Sequence, residues 1–202
     1  MPRFVAAALL IAACVVSVRA EEAAKPADAK PADAKAAAPK FDVGDQAPAF
    51  KIKTSSGKVV DLAELSAKGP VLVRLTCGCS GCDKELAYFQ KIDAAYKDQG
   101  LTSLLVFREP DTKVAKYAVE KKLDNMLYAV DTNGEAWKAF NTKAMPTNFL
   151  ILKGGKIASI AAGCDPNGLI ANQVSKNAAK IVGTEAINVT KKAEEKKVEE
   201  KK

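Results

Sequence analysis

The sequence predicts an α/β fold, a mixed central β-sheet flanked by helices. Strand-length apolar runs alternate with helix-patterned stretches through the middle of the chain, and the series closes on two strand-length runs joined at Gly154-Gly155. Residues 41–185 have the length of one ordinary domain. The composition, 48% hydrophobic and 27% charged, is that of a globular protein.

Each element follows from its own pattern. Phe50-Lys51-Ile52-Lys53 alternates apolar and polar, Ser55-Ser56-Gly57 turns the chain, and Val59, Val60 and Leu62 follow. That predicts a hairpin leading into a short turn. Val71-Leu72-Val73-Arg74-Leu75 reads as a mostly buried strand. Leu86, Phe89, Ile92 and Tyr96, three and four apart, mark one face of a helix that Gly100 ends. Leu101 to Phe107 is a second strand. Thr112 to Leu123 is a second helix, carrying Val114, Tyr117, Ala118 and Lys121. Met126 to Val130 predicts a short strand and Asn133 to Phe140 a short helix. Phe149 to Leu152, Gly154-Gly155 and Ile157 to Ala162 form a hairpin, and a helix follows near 167–181.

The ends are not part of that pattern. Arg3 precedes the almost wholly apolar stretch Phe4 to Val18, and Val18-Arg19-Ala20 stands before Glu21 as a cleavage site, so residues 1–20 are expected to be a signal peptide. The apolar run of about 15 residues is short of the roughly 20 a membrane span needs. Ile11-Ala12-Ala13-Cys14 resembles the lipidation site of bacterial lipoproteins, which makes a lipid anchor at Cys14 the alternative. Either route predicts an exported protein, periplasmic or otherwise extracytoplasmic, and membrane-anchored in the second case. Residues 21–40, with K-P-A-D-A repeated at 25–29 and 30–34, are expected to be a semi-extended linker, and 186–202 a charged, disordered tail. The net charge of +7 belongs largely to these ends, because residues 41–187 hold 19 Lys/Arg against 16 Asp/Glu. No nucleic-acid partner is expected from so dispersed a charge.

The chain has no histidine and five cysteines. The absence removes Ser-His-Asp hydrolysis, histidine-ligated metals and histidine acid–base catalysis, and makes sulfur the expected chemistry. The strongest local signal lies where the 71–76 strand gives way to a helix: Cys77-Gly78-Cys79-Ser80-Gly81-Cys82-Asp83-Lys84-Glu85-Leu86. A C-x-x-C at such a junction places Cys79 at a helix N-terminus, where free N–H groups and the helix dipole favour a thiolate, and Cys82 within the first turn. Ser80 and Asp83 have capping-box spacing. Half a zinc site and a purely structural disulfide are the alternatives for the same four-residue spacing.

From Gly44 to about residue 182 the chain resembles the thioredoxin superfamily, in particular its exported thiol–disulfide proteins of the TlpA type. The resemblance rests on Gly44-Asp45-Gln46-Ala47-Pro48-Ala49-Phe50 with Gly57, Val59 and Leu62, on Val71-Leu72-Val73, on the C-S-G-C motif, and on Met145-Pro146-Thr147-Asn148-Phe149-Leu150-Ile151 followed by Gly155-Lys156-Ile157. It implies a thioredoxin-like fold with an N-terminal hairpin and an extra strand–helix insertion before a cis-proline. It implies thiol–disulfide exchange with protein thiols and disulfides, a membrane-bound or exported electron donor, no cofactor, no metal and a monomeric state. Cys79 would be the nucleophile, Cys82 the resolving thiol, and Glu85 a buried acid moving protons for Cys82. Pro146, in cis, would face the pair while the Met145 backbone meets a substrate strand. Two departures leave the direction of electron flow open: no Trp precedes the motif, and neither Pro nor an aromatic residue stands between its cysteines.

Cys77 and Cys164 are additional to that resemblance. Antiparallel geometry returns Cys164, at the end of the last hairpin, to the motif's end of the sheet. Cys77 and Cys164 are therefore expected within reach of each other or of the C-S-G-C pair, as auxiliary redox thiols, with two unrelated buried small side chains as the alternative. Two rival functions follow from the same residues. A peroxiredoxin-like thiol peroxidase is suggested by Thr76, three residues before Cys79, although Leu72 and Pro146 stand where that branch carries its proline and arginine. A thiolate metal carrier could use Cys77, Cys79, Cys82 and Cys164.

Overall fold

The structure, a computed structural model, describes residues 41–54 and 56–191. The expected signal peptide with Cys14, the linker at 21–40 and the tail from 192 onward lie outside the described residues. Among the described residues the elements run β1 (Lys51–Lys53), β2 (Val59–Asp61), α1 (Leu62–Lys68), β3 (Val71–Thr76), α2 (Ser80–Tyr96), β4 (Thr102–Phe107), α3 (Asp111–Glu120), β5 (Leu127–Val130), α4 (Glu135–Ala139), β6 (Thr147–Ile151), β7 (Ile157–Ala162) and α5 (Leu169–Val182).

β1 and β2 form the expected hairpin, and the other five strands form one sheet in the order β5-β4-β3-β6-β7. β3, β4 and β5 are parallel, whereas β6 runs antiparallel to β3 and β7 antiparallel to β6. Between α3 and β6 the chain runs through β5, at one edge of the sheet, and α4. β3 is central and buried at all six positions, which is why it reads as a near-continuous apolar run. Its side chains alternate between two faces. Val71, Val73 and Leu75 join Val106, Phe149 and Phe140 on one side. Leu72 packs on the other with Phe89 and Ile92 of α2 and Val174 of α5. By the same alternation Arg74 lies on the α2 side, beneath the helix that follows the motif.

The structure departs from the sequence expectations in four places. The turn after β2 is the helix α1, started by Asp61, whose carboxylate accepts the Ala63 N–H at 2.8 Å. The helix expected to reach Leu123 ends at Glu120, because Lys122 adopts a left-handed conformation with φ of 55° and a 3₁₀ turn follows. β6 begins at Thr147, two residues before the apolar run, since Thr147 and Asn148 are buried polar residues. The domain edge expected at 185 must move outward. Val189 is fully buried, the Tyr96 hydroxyl accepts the Ile187 N–H at 2.9 Å, and Asn172 accepts the Val189 N–H at 2.9 Å. Residues 186–190 thus belong to the packed domain and not to a tail. No described helix is long and apolar enough to cross a membrane.

Candidate active site

β3 pairs with β4 as far as Thr76 and with β6 as far as Leu75, opposite Thr147. Beyond those registers lie Cys77 on one strand and Pro146 on the other, so the sheet itself brings the two segments to one edge. The Met145–Pro146 peptide is cis, Pro146 is buried and Met145 half-buried. The Pro146 carbonyl accepts the Gly163 N–H at 2.9 Å, tying the end of β7 to the same edge. Cys164 therefore arrives beside the motif, where its thiol donates to the Gly81 carbonyl at 3.2 Å.

Cys79 is the N-cap of α2, in extended conformation, and is exposed. Cys77 and Cys82 are buried, at 7% and 4% exposure. The Cys77 and Cys82 sulfurs stand 3.4 Å apart, within hydrogen-bond reach. The sulfurs of Cys77, Cys79 and Cys82 all lie within 4.8 Å of one another. Cys164 stands outside that group. A hydrogen bond from Cys77 and the backbone N–H groups of Cys82 and Gly81 hold the Cys79 thiol below its ordinary pKa. Burial, together with its hydrogen bond to Cys79, pushes the Cys77 thiol up to about 12. Desolvation and the Glu85 carboxylate raise that of Cys164. Of Cys77 and Cys79, the exposed sulfur is the easier to ionise and the buried one the harder.

The expected capping box is absent. Cys79 occupies the cap position without a side-chain cap, and Asp83 instead accepts the Tyr117 hydroxyl at 2.9 Å and pairs with Lys121 at 3.1 Å. α3 therefore grips the first turn of α2 through Asp83.

Glu85 is fully buried. Its Oε2 pairs with Arg74 at 2.8 Å, and its Oε1 accepts the Asp165 N–H at 2.8 Å. Arg74 also donates to the Asn148 side-chain oxygen at 2.8 Å and stacks over the Phe89 ring at 3.9 Å. Both carboxylate oxygens thus accept one hydrogen bond each, which fixes the carboxylate in place and leaves each a second acceptor site. Sequence reasoning left Arg74, Asn148 and Asp165 unassigned. A readable signal existed for Arg74: a lone charge in the middle of an apolar strand needs a buried partner. For Asp165 there was none, because its contribution is a backbone N–H.

Three clustered thiols can exchange disulfides or hold a soft metal ion. Peroxide chemistry gains less from this arrangement: Thr76 is buried and its hydroxyl donates to the Cys77 carbonyl at 3.4 Å.

Comparison with known proteins gives a consistent pattern. The family model described as Redoxin matches residues 42–181. The thiol-disulfide oxidoreductase ResA of Bacillus thuringiensis subsp. konkukian is 30% identical over 119 residues, which is 58% of this chain and 68% of that protein. A thiol:disulfide interchange protein from Bacteroides sp. superposes with a TM-score of 0.57 at 26% identity, over 71% of this chain and 92% of its own. A Chlorobium tepidum chain assigned as the thiol:disulfide interchange protein DsbE gives a TM-score of 0.64 over 71% of this chain and 99% of its own. Its identity of 23% speaks for the fold alone.

Proposed function

The chain belongs to the redoxin family and is a thiol–disulfide oxidoreductase, and from there we propose that it exchanges disulfides with exported proteins through Cys79 and Cys82. The observation that carries this reading is the pairing of an exposed, readily ionised Cys79 at the N-terminus of α2 with a buried Cys82 one turn on. In the reductive direction the Cys79 thiolate attacks a substrate disulfide, forms a mixed disulfide and releases one substrate thiolate. Cys82 then attacks the Cys79 sulfur, releases the second substrate thiol and leaves the Cys79–Cys82 disulfide. Two electrons have passed to the substrate, and a membrane-bound or exported donor restores them. The oxidative direction runs the same bonds backwards.

Glu85 takes up or supplies the Cys82 proton, at an acceptor site that its contacts with Arg74 and the Asp165 N–H leave over. The Met145–Pro146 edge offers its backbone to an extended substrate segment. The protein acts outside the cytoplasm, after removal of residues 1–20 or anchored by lipid at Cys14, and works as a monomer.

The double variant Cys77→Ser with Cys82→Ser in an export-competent form tests the reading, since removing both thiols close to Cys79 strands the mixed disulfide. Exported proteins linked through Cys79 are expected to accumulate and to disappear under reduction. Rapid consumption of hydrogen peroxide with no trapped protein overturns it. A second reading, a carrier of a soft metal ion, is favoured by the three mutually close sulfurs. Stoichiometric copper or zinc on the reduced, purified protein supports that reading, and metal-free protein that resists loading rejects it.

A further inference from the structure

The two-step cycle needs two sulfurs, yet a third is held against them. Cys77 lies 3.4 Å from the Cys82 sulfur and shares its burial, while Cys79 is exposed. Building on the exchange reading, we propose that the Cys79–Cys82 disulfide migrates inward to Cys77–Cys82, and that the oxidised protein, with Cys79 set free, acts as a disulfide isomerase.

The step is an ordinary exchange. The Cys77 sulfur attacks Cys82, the Cys77–Cys82 bond forms as the Cys79–Cys82 bond breaks, Cys79 leaves as a thiolate, and the Cys77 proton passes to solvent. No electron enters or leaves the protein. The sulfur pair must close from 3.4 Å to about 2.05 Å, and both cysteines lie in one short segment. The direction follows from the environments of the two competing sulfurs. Exchange favours leaving free whichever sulfur best carries the negative charge. The backbone N–H groups of Gly81 and Cys82 remain to stabilise that charge on Cys79 after the step, whereas burial penalises it on Cys77.

The consequence is a change in what the oxidised protein can do. With the bond at Cys79–Cys82, neither motif cysteine can attack a substrate. With the bond at Cys77–Cys82, Cys79 remains an exposed nucleophile while both thiols that could resolve its mixed disulfide within the three-sulfur group are locked. A substrate caught on Cys79 is then released when one of its own thiols attacks. Release by a substrate thiol rearranges the substrate's disulfides without net reduction. Cys164 sits outside the three-sulfur group, with its thiol engaged by the Gly81 carbonyl at 3.2 Å, and so is not placed to resolve the mixed disulfide.

The test oxidises the reduced wild-type protein with one equivalent of diamide, quenches exchange with acid, unfolds the chain and alkylates it with N-ethylmaleimide before peptide mapping. Expected are a Cys77–Cys82 disulfide and labels on Cys79 and Cys164. The same oxidised protein, with no added reductant, is expected to reactivate scrambled ribonuclease at least tenfold faster than oxidised Cys77→Ser or Cys77→Ala. A Cys79–Cys82 bond with Cys77 labelled overturns migration and leaves the exchange reading standing. A Cys77–Cys82 bond without ribonuclease reactivation overturns the isomerase. Failure of Cys79 and Cys82 to enter any disulfide overturns the inference and the exchange reading together.

Discussion

Cys79 owes its reactivity first to the Cys77 thiol that donates to it and then to the backbone N–H groups of the first turn of α2. The sign of a test follows. A hydrogen bond to the charged form lowers a thiol's pKa, so removing the donor raises it. Cys77→Ala is expected to move the pH midpoint of Cys79 alkylation upward, towards the ordinary value of 9.0, and to slow alkylation at neutral pH. Stopped-flow alkylation of the wild type and the variant across a pH series checks this, and an unchanged midpoint refutes the hydrogen bond as the cause. At this scale the spacing of Cys79 and Cys82 and the position of Pro146 were legible in the sequence. The mutual approach of three sulfurs was not, because it depends on the path of Gly78 between the strand and the helix. Cys164 was legible only as returning to the right end of the sheet. Its actual partner, the Gly81 carbonyl, is a backbone group that no residue pattern marks.

The junction of β3 and α2 is the element on which the site depends. Arg74 on the strand and Glu85 on the helix form an ion pair at 1% and 0% side-chain exposure. Such a pair adds little net stability over an apolar pair, because desolvation opposes the Coulomb gain, but losing one partner strands the other charge. Arg74→Met alone and Glu85→Leu alone are each expected to destabilise the domain by about 3–5 kcal/mol, and the double variant to recover most of that loss. Urea unfolding of the three variants measures it, and additive single effects refute the coupling. Helix and strand periodicity located both elements, since periodicity is a local property. It could not pair residues 74 and 85, because their meeting depends on how α2 crosses the sheet. It also missed α1, seven residues long and dependent on its Asp61 cap, and overran α3, which a single left-handed residue at Lys122 stops.

At the scale of the whole molecule, the chain beyond α5 packs into the apolar layer between the sheet, α2 and α5. The Ile187 and Val189 segment lies across α2 and α5, with Lys91 donating to the Val189 carbonyl at 2.7 Å and Ser175 to the Ile187 carbonyl at 2.8 Å. Truncation after Glu185 is expected to cost about 3 kcal/mol, from one fully buried valine and several hydrogen bonds. That loss lowers the melting temperature by roughly 6–12 °C for a domain of this size. Truncation after Lys191 is expected to leave melting unchanged, and thermal unfolding of the two truncations distinguishes a packed segment from a tail. From the sequence came the α/β class, the order of the strands and of the helices other than α1, the sulfur chemistry forced by the absence of histidine, and the motif's place at a strand end. All of these rest on composition or on periodicity within one element. The third sulfur against Cys82, the Arg74–Glu85 pair and the docking of residues 186–190 came from packing. Each joins elements whose relative placement is set by the filled core between them, which no local pattern encodes.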